Sequence, residues 1–323
     1  MTASLLLALP SKGRLKEQAE AWLGDGGFGL EVAGGARGYR ATLTGMAGVE
    51  APLLSSSDIA SALDAGDVHL GVVGEDLLRE RGGDLDERVM LLRPLGFGRA
   101  DLVVAAPQSW IDVQTMADVD QVAMAYLSRT GRRMRVATKY GVLTRAFFAR
   151  HGIADYRIVD SSGATEGAPA AGAAELIVDI TTTGATLQAN GLRPLADGLI
   201  LKSQAQLAAS LKAPWTAETL DIARRFVRVI EARARALQLA SLTWPADQDR
   251  KAEAATAGFV ERGASRSQSG LLVRTPELFE AAESLAAAGV GPVSAARPDY
   301  VFHADCPIID ELTSKLGMAK LNL

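Results

Sequence analysis

A threonine- and glycine-rich turn within residues 176–191 is the clearest chemical signal in the sequence. An apolar strand is predicted over Leu176–Ile180, and a short helical segment follows the turn. Such a turn at a helix N-terminus offers backbone N–H groups, hydroxyl donors and a favourable dipole to a phosphate group. The candidate phosphate-binding residues are Thr181, Thr182, Thr183, Gly184, Ala185 and Thr186. The spacing is equally compatible with a capped turn that binds no ligand.

Two carboxylates stand near this turn. Asp179 ends the predicted strand, where it could accept hydrogen bonds from ribose hydroxyls while the turn holds a 5′-phosphate. Glu166 is the only charged residue of the small-residue segment 161–169, and it could serve a sugar hydroxyl or Mg²⁺. The alternative for Glu166 is a solvated acid on a flexible loop.

Two cations follow the predicted first strand, Leu5–Leu9. Lys12, Gly13 and Arg14 lie where open α/β sheets bind ligands, so the cations could neutralise a triphosphate or a pyrophosphate. Cations at a helix start oppose the helix dipole, which argues against a purely decorative role. A solvated pair remains the alternative.

Two further segments, residues 71–76 and 135–140, are each predicted to form a buried strand whose far end carries polar groups. These polar residues are Asp76, Arg135, Thr138, Lys139 and Tyr140. Tyr140 could pack against a base, while Lys139 and Arg135 could meet phosphate groups. Each segment alone is also typical of a core strand with a solvated end.

The composition excludes several classes of protein. The chain has 323 residues, about twice one domain, and its 34 basic against 38 acidic residues with 5% aromatics do not suit a nucleic-acid binder. No stretch approaches the ~20 apolar residues of a membrane helix. The single cysteine, Cys306, fits a reducing cytosol, so a soluble cytoplasmic protein is expected. The three histidines share no spacing typical of a zinc site or a catalytic triad.

Short apolar runs alternate with helix-like segments, which predicts an α/β fold with covered sheets. The strand candidates are Leu5–Leu9, Val68–Val73, Leu102–Ala106, Met134–Ala137 and Leu176–Ile180, and the helix candidates are Ser57–Ala65 and Thr144–His151. The polar segment 108–120 indicates that a second lobe begins near Pro107.

From Pro214 onward the pattern changes. Apolar residues recur at helical spacing over Thr216–Leu237, which predicts a long connector helix. Beyond it, strands are predicted at Ala240–Trp244, Gly270–Val273 and Tyr300–His303, with helices at Asp247–Ala257 and Glu277–Ala288. This order suits a small α+β ligand-sensing module.

Taken together, these segments resemble the ATP phosphoribosyltransferase family. The strongest match is IVDITTTGATLQANGL, residues 177–192, and SGATEGAP, RVATKY, HLGVVGEDLL and LPSKGRL support it in the family's order. The match spans nearly all of residues 4–210. It is specific, because five separate segments must coincide.

The resemblance implies a catalytic core with a two-lobed, type II periplasmic-binding-protein-like fold whose cleft holds ATP and phosphoribosyl pyrophosphate (PRPP). Lobe I would comprise residues 1–106 and 190–213, and lobe II residues 107–189. Asp179 and Thr181–Thr186 would bind PRPP; Lys12, Gly13, Arg14, Asp76, Arg135, Thr138, Lys139 and Tyr140 would bind ATP. Lys12, Arg14 and Glu166 are the candidate catalytic residues. Magnesium would be the cofactor, with ligands that the sequence does not identify.

Residues 214–323 resemble the connector helix and ACT-like regulatory domain of the family's long form. That implies feedback inhibition by histidine and a homo-oligomer, from dimer to hexamer. In the implied reaction, adenine N1 of ATP attacks C1′ of PRPP and pyrophosphate leaves, which is the first step of histidine biosynthesis. The chain departs from the family pattern at Gly141-Val142, where Pro-Asn is common, and at Ser11, which separates Pro10 from Lys12.

Three rival functions fit parts of the pattern. A two-lobed solute-binding receptor would share the fold without chemistry, but no signal peptide is recognised and the extra C-terminal domain argues against it. A catalytically idle regulatory subunit is disfavoured by the intact phosphate turn. Another phosphoribosyltransferase, acting on a free base, is the nearest enzymatic alternative.

Overall fold

The computed structural model describes residues 4–32 and 39–318. The ends of the predicted domain ranges, 1–3 and 319–323, and the stretch 33–38 lie outside the described residues. The chain divides into two compact units, Met1–Trp22 with Gly29–Thr216, and Leu23–Phe28 with Ala217–Leu323. The larger unit contains two sheets and the smaller unit contains one.

The first sheet of the larger unit has seven strands. They are β1 (Leu5–Pro10), β2 (Gly29–Val32), β3 (Arg40–Thr44), β4 (Val49–Leu54), β5 (Leu70–Gly74), β6 (Val89–Pro94) and β12 (Ala205–Ser210), in the order β2-β3-β4-β1-β5-β12-β6. The helices that follow these strands are α1 (Gly13–Asp25), α2 (Ser56–Ala65) and α3 (Glu75–Glu80). The central strand β1 pairs in parallel with β4 and β5. Parallel pairing places the carboxyl ends of these strands at one edge of the sheet.

The second sheet has five strands. They are β7 (Ala100–Pro107), β8 (Met134–Thr138), β9 (Tyr156–Asp160), β10 (Leu176–Thr181) and β11 (Leu192–Ser203), in the order β11-β7-β10-β8-β9. Its helices are α4 (Met116–Thr130), α5 (Gly141–Arg150) and α6 (Ala185–Ala189). Strands β8, β9 and β10 run parallel. The loops that leave β8 and β10 therefore emerge at the same edge.

Two connections join the sheets, residues 95–99 and Gln204. The predicted ranges assign β11 and nearly all of β7 to lobe I, but the structure places both strands in the second sheet. The reason is backbone pairing, since β7 forms antiparallel ladders with both β10 and β11. The two lobes are hereafter the first-sheet lobe and the second-sheet lobe.

The smaller unit contains a four-stranded antiparallel sheet with the order β14-β15-β13-β16. Its strands are β13 (Leu239–Thr243), β14 (Ser265–Ser267), β15 (Gly270–Arg274) and β16 (Ser294–Ala296), and its helices are α7 (Ala217–Ala236), α8 (Asp249–Glu261), α9 (Leu278–Ala287) and α10 (Pro307–Lys315). Residues of β13, β15, α8 and α9 form its buried core. The predicted α/β class with a small C-terminal α+β domain is confirmed.

One predicted strand of this unit, Tyr300–His303, is wrong. The fourth strand is β16, which pairs with β13. The backbone near Val301 bonds to helix α7 instead: Val301 N donates to the Ala232 carbonyl at 3.0 Å, and Arg235 Nη1 donates to the Val301 carbonyl at 3.0 Å. With these groups already paired, the segment adds no strand to the sheet.

Among the helices of residues 4–32 and 39–318, none combines the length and the apolar character that a membrane span requires.

Candidate functional site

A cavity of about 540 Å³ lies between the two lobes of the larger unit. Arg14 and Asp76 line it from the first-sheet lobe, and Lys139, Tyr140 and Thr182 line it from the second-sheet lobe. Each of these side chains stands at or just after the carboxyl end of a strand. We call this space the cleft cavity.

A second cavity, of about 310 Å³, borders the threonine-rich turn. Its lining includes Glu166, Asp179, Ala185 and four threonines, Thr181, Thr182, Thr183 and Thr186. Ala100, Ile180 and Thr182 line both this turn cavity and the cleft cavity. The two cavities therefore adjoin, and these three residues form the wall that they share.

The turn is shaped by its own side chains. Gly184 adopts a left-handed conformation, with φ 78°, that a side chain would strain. Its N–H donates to Thr181 Oγ1 at 2.9 Å, and Ala185 N donates to Thr183 Oγ1 at 3.4 Å. Helix α6 has only five residues, so its dipole contributes less than the sequence suggested. Any phosphate at this turn would be held chiefly by hydroxyl and turn N–H donors.

Asp179 is a half-buried carboxylate in β10, two residues before the turn begins at Thr181. Burial raises its pKa, and the negative charge of Glu166 raises it further, whereas the hydrogen bond from Ile180 N and the charge of Lys139 lower it. Ile180 N lies 2.8 Å from Asp179 Oδ1. Such a poorly solvated carboxylate is suited to accept hydroxyl donors or to face a developing positive charge.

A buried hydrogen-bond network connects the lobes at the floor of the cleft cavity. Tyr140 Oη donates to Asp76 Oδ2 at 2.6 Å, and Ser203 Oγ donates to Asp76 Oδ1 at 2.7 Å. Tyr140 is fully buried, and its pKa is raised by burial and by the charge of Asp76. Lys139 Nζ lies 4.9 Å from the centroid of the Tyr140 ring. A base that packed on this ring face would have to displace Lys139.

Glu80 is an interlobe residue that the sequence did not reveal. Its carboxylate accepts the backbone N–H groups of Val142 at 2.8 Å and Leu143 at 3.0 Å, at the start of α5. Glu80 lies one turn after Asp76 on α3. The two acids thus hold the segment that begins at Tyr140, and their spacing of four residues was the available signal.

We expect Glu80→Ala to lower the free energy of unfolding by about 1 kcal/mol, because the first-turn N–H groups of α5 lose their acceptor, as in loss of a helix cap. Urea denaturation measures this change. Glu87→Ala is the matched control, since Glu87 is exposed on the same lobe. Equal midpoints for the two variants would show that Glu80 does not stabilise α5.

The remaining predicted residues occupy different places. Lys12 and Gly13 are exposed at the start of α1 and line neither of these two cavities. Thr138 is buried and accepts the N–H of Tyr140 at 2.9 Å, so it shapes the loop. Arg135 lies at the other end of β8 from Tyr140, where its Nη2 pairs with Glu175 Oε1 at 2.6 Å. The structure thus separates Arg135 from the cleft residues.

Arg99 is a further cation of the cleft cavity that the sequence did not single out. It is exposed, and its carbonyl accepts a hydrogen bond from Thr182 Oγ1 at 3.2 Å. The preceding Gly96-Phe97-Gly98 turn was the available signal, because glycines permit a close approach of backbone to ligand. Arg99 therefore lies beside the wall that both cavities share.

In the part of the chain that the structure describes, no group of three or more His, Cys, Asp or Glu side chains could hold a metal ion. Glu166 and Asp179 nevertheless border one cavity. Mg²⁺ commonly binds one or two carboxylates and takes its other ligands from water and substrate phosphates. These two acids fit that mode of binding.

Comparison with known proteins identifies relatives over nearly the whole chain. A family model described as ATP phosphoribosyltransferase matches residues 55–231. An ATP phosphoribosyltransferase of Caulobacter vibrioides (strain NA1000 / CB15N) is 65% identical over 316 residues, covering 98% of this chain and 99% of that protein. One from Rhodopseudomonas palustris (strain HaA2) is 50% identical over 323 residues, covering 98% and 99%. The solved ATP phosphoribosyl transferase (HisG:HisZ) complex from Thermotoga maritima aligns with a TM-score of 0.53 at 25% identity, covering 70% of this chain and 98% of that chain.

Proposed function

The chain belongs to the ATP phosphoribosyltransferase family, and we propose that its cleft joins adenine N1 of ATP to C1′ of PRPP, releasing pyrophosphate. This reaction is the first step of histidine biosynthesis. The observation that carries the assignment is the pair of adjoining cavities with a shared wall at Ala100, Ile180 and Thr182. Holding the two substrates in adjoining cavities would bring the nucleophile close to the reacting carbon, which replaces a costly bimolecular encounter.

The turn cavity is the proposed PRPP site. The hydroxyl and N–H donors of Thr181–Thr186 suit the 5′-phosphate, and Asp179 suits the ribose hydroxyls. Positive charge develops on the ribose as its bond to pyrophosphate breaks. Asp179, when ionised, would stabilise that charge at close range in a poorly solvated site.

The cleft cavity is the proposed ATP site. Arg14, Arg99 and Lys139 supply three cations to a chain whose net charge is −4, which suits the phosphates of ATP and the pyrophosphate leaving group. Lys12, exposed at the same strand end, is proposed to contact the outer phosphates. Asp76, with its oxygens held by Tyr140 and Ser203, forms the floor against which adenine would lie.

Two roles remain for Glu166. In one role it is our candidate acceptor of the proton that the adenine amino group loses, because it lines the turn cavity in which we place the ribose of PRPP. In the other role, Glu166 and Asp179 would hold Mg²⁺, whose charge when bound neutralises that of the pyrophosphate. Both roles require a carboxylate at this position.

The activity test monitors formation of phosphoribosyl-ATP by absorbance with ATP, PRPP and Mg²⁺, with pyrophosphatase present to remove the product. We expect formation to require all three components. Free adenine in place of ATP is the discriminating control. Product from adenine but not from ATP would contradict the proposed substrate, and PRPP binding without product would point to an idle subunit.

The smaller unit is proposed to be regulatory. We propose that residues 214–323 form an ACT-like domain, that histidine inhibits the enzyme through it, and that the protein assembles as a homo-oligomer. The support is the family membership together with the separate core of this unit.

A histidine titration of the full-length enzyme is expected to lower the rate at fixed ATP and PRPP. Because the proposed effector site shares no residue with the linings of the two substrate cavities, the histidine-bound enzyme should still bind ATP and PRPP, with affinities changed by the coupling between the sites. Calorimetry with histidine checks binding directly, and glutamine serves as the control ligand. If histidine at saturating concentration neither bound the enzyme nor inhibited it, the regulatory proposal would be removed.

A further inference from the structure

A cavity of about 540 Å³ in the second-sheet lobe is lined by Tyr126, Arg132, Arg133, Arg135 and Arg157. We call it the arginine cavity. Arg135 and Arg157 are the second residues of β8 and β9, so the cavity lies at the amino ends of these parallel strands. Thr138 ends β8 three residues after Arg135, or about 10 Å away at the rise of a strand, and the cleft residue Tyr140 comes after it. The arginine cavity is therefore distinct from the cleft and the turn cavity.

The sheet register places two like charges side by side. Arg135 of β8 is the register partner of Arg157 of β9, so both side chains leave the same face of neighbouring strands. Directly opposed like charges destabilise a sheet. The pair lies on the edge strand β9 and its neighbour. An anion bound against the two strands would relieve the repulsion that remains between them.

Among the residues that the structure describes, one of the four charges, that of Arg135, has an acidic partner. Arg135 Nη2 pairs with Glu175 Oε1 at 2.6 Å, and Tyr126 Oη donates to the same oxygen at 3.0 Å. No residue within 4–32 or 39–318 forms a hydrogen bond or an ion pair with the guanidinium groups of the other three arginines, Arg132, Arg133 and Arg157. Four arginines less one glutamate leave a local charge of +3, against −4 for the whole chain.

We propose that the arginine cavity is a second phosphate-binding site, which takes a small phosphate-bearing anion such as pyrophosphate or a nucleotide. Guanidinium groups bind phosphate oxygens through paired hydrogen bonds, and the cavity volume lies in the range of small-ligand pockets, roughly 300–1,000 Å³. Bound phosphate would bridge the two strands by neutralising Arg157 beside Arg135. The site does not depend on the proposed reaction, because it shares no lining residue with the cleft or turn cavity.

Equilibrium dialysis with labelled pyrophosphate tests the site. The double variant Arg133→Ala/Arg157→Ala should lose one of the binding sites of the wild-type chain, or bind there at least about tenfold more weakly, as two charge-assisted contacts disappear. Arg250→Ala/Lys251→Ala is the matched control, since it removes two exposed cations from the smaller unit. Thr183→Asp, which places a carboxylate in the turn cavity, should leave the arginine site intact. The arginine substitutions are made both in the wild-type protein and in Thr183→Asp. Their effect on pyrophosphate binding can therefore be measured even if the proposed reaction does not occur.

Thermal unfolding supplies a second measurement. Without anion, Arg157→Ala should unfold at no lower temperature than the wild type, because the like-charge repulsion is relieved. With pyrophosphate, the Thr183→Asp protein should gain stability, and the gain should disappear when Arg133 and Arg157 are also replaced. Competition by AMP and by inorganic phosphate then distinguishes a nucleotide from a simple phosphate as the occupant. Unchanged dialysis binding in the arginine variant, or an equal loss in the control, would overturn the proposal.

Discussion

Replacing Asp179 with alanine is expected to lower kcat/KM for PRPP by about 10²–10³-fold, while ATP binding changes by less than about twofold. The magnitude is that of removing one electrostatic contact to the charge that develops in a transition state. Asp179 borders the turn cavity and not the cleft cavity, so its loss should act on one substrate. Initial rates with each substrate varied in turn measure the two effects.

The ionisation of Asp179 gives this prediction a pH dependence. Because burial raises its pKa, the carboxylate should become neutral, and PRPP use should fall, at a higher pH than for an ordinary aspartate. The raised pKa of Asp179 has the opposite effect on folding stability, which it increases at low pH. A raised carboxyl pKa in the folded state adds stability at low pH, which is lost as the pH rises through that pKa. Asp179→Asn should therefore lack the inflection in the rate profile and be at least as stable as the wild type at neutral pH.

Asp112→Ala is the control for these measurements, since Asp112 is an exposed aspartate of the same lobe. An unchanged kcat/KM for PRPP in Asp179→Ala would remove the ribose-binding assignment. If Asp179→Ala instead lowered folding stability enough to account for the loss of PRPP use, Asp179 would serve only to maintain the turn.

The sequence predicted five of the twelve strands that the structure describes in the larger unit, β1, β5, β7, β8 and β10, because interior strands of a sheet that is covered on both faces are continuous apolar runs. β10 illustrates this, since Leu176, Ile177 and Val178 are all fully buried. These runs end at the cleft, so the polar residues at their carboxyl ends, among them Asp179 and Tyr140, could be located from the sequence. The predicted placement of Arg135 at the far end of its strand was wrong, because Arg135 belongs to the same segment as Tyr140 but is the second residue of β8.

Long-range pairing was not accessible from the sequence. Asp76 is 127 residues from Ser203 and 64 from Tyr140, and nothing local indicates that one carboxylate accepts from both. Short exposed elements were missed for another reason. β16 consists of Ser294–Ala296, all exposed, and so has no apolar alternation to recognise, whereas Tyr300–His303 is richer in the residue types typical of strands.

Tyr140→Phe and Asp76→Asn are expected to show that the buried network couples the two lobes. Tyr140→Phe leaves Asp76 Oδ2 without its donor in a buried site, which should lower the free energy of unfolding by about 1.5–3 kcal/mol. Since both residues line the cleft cavity, kcat/KM for ATP should fall by about 10- to 100-fold, with a smaller effect on PRPP.

The decisive quantity is the coupling between the two substitutions. If Tyr140 acts through Asp76, the double variant should lose less stability and less ATP specificity than the sum of the single losses, with a coupling energy of about 1–3 kcal/mol. Ser203→Ala, which removes the other hydroxyl donor to Asp76, should couple to Asp76→Asn in the same way. Ser203 comes from β11 in the second-sheet lobe, as Tyr140 does from the loop after β8, whereas Asp76 belongs to the first-sheet lobe. Strict additivity of Tyr140→Phe and Asp76→Asn would mean that the 2.6 Å contact does not join the lobes energetically, and that adenine recognition rests on each residue alone.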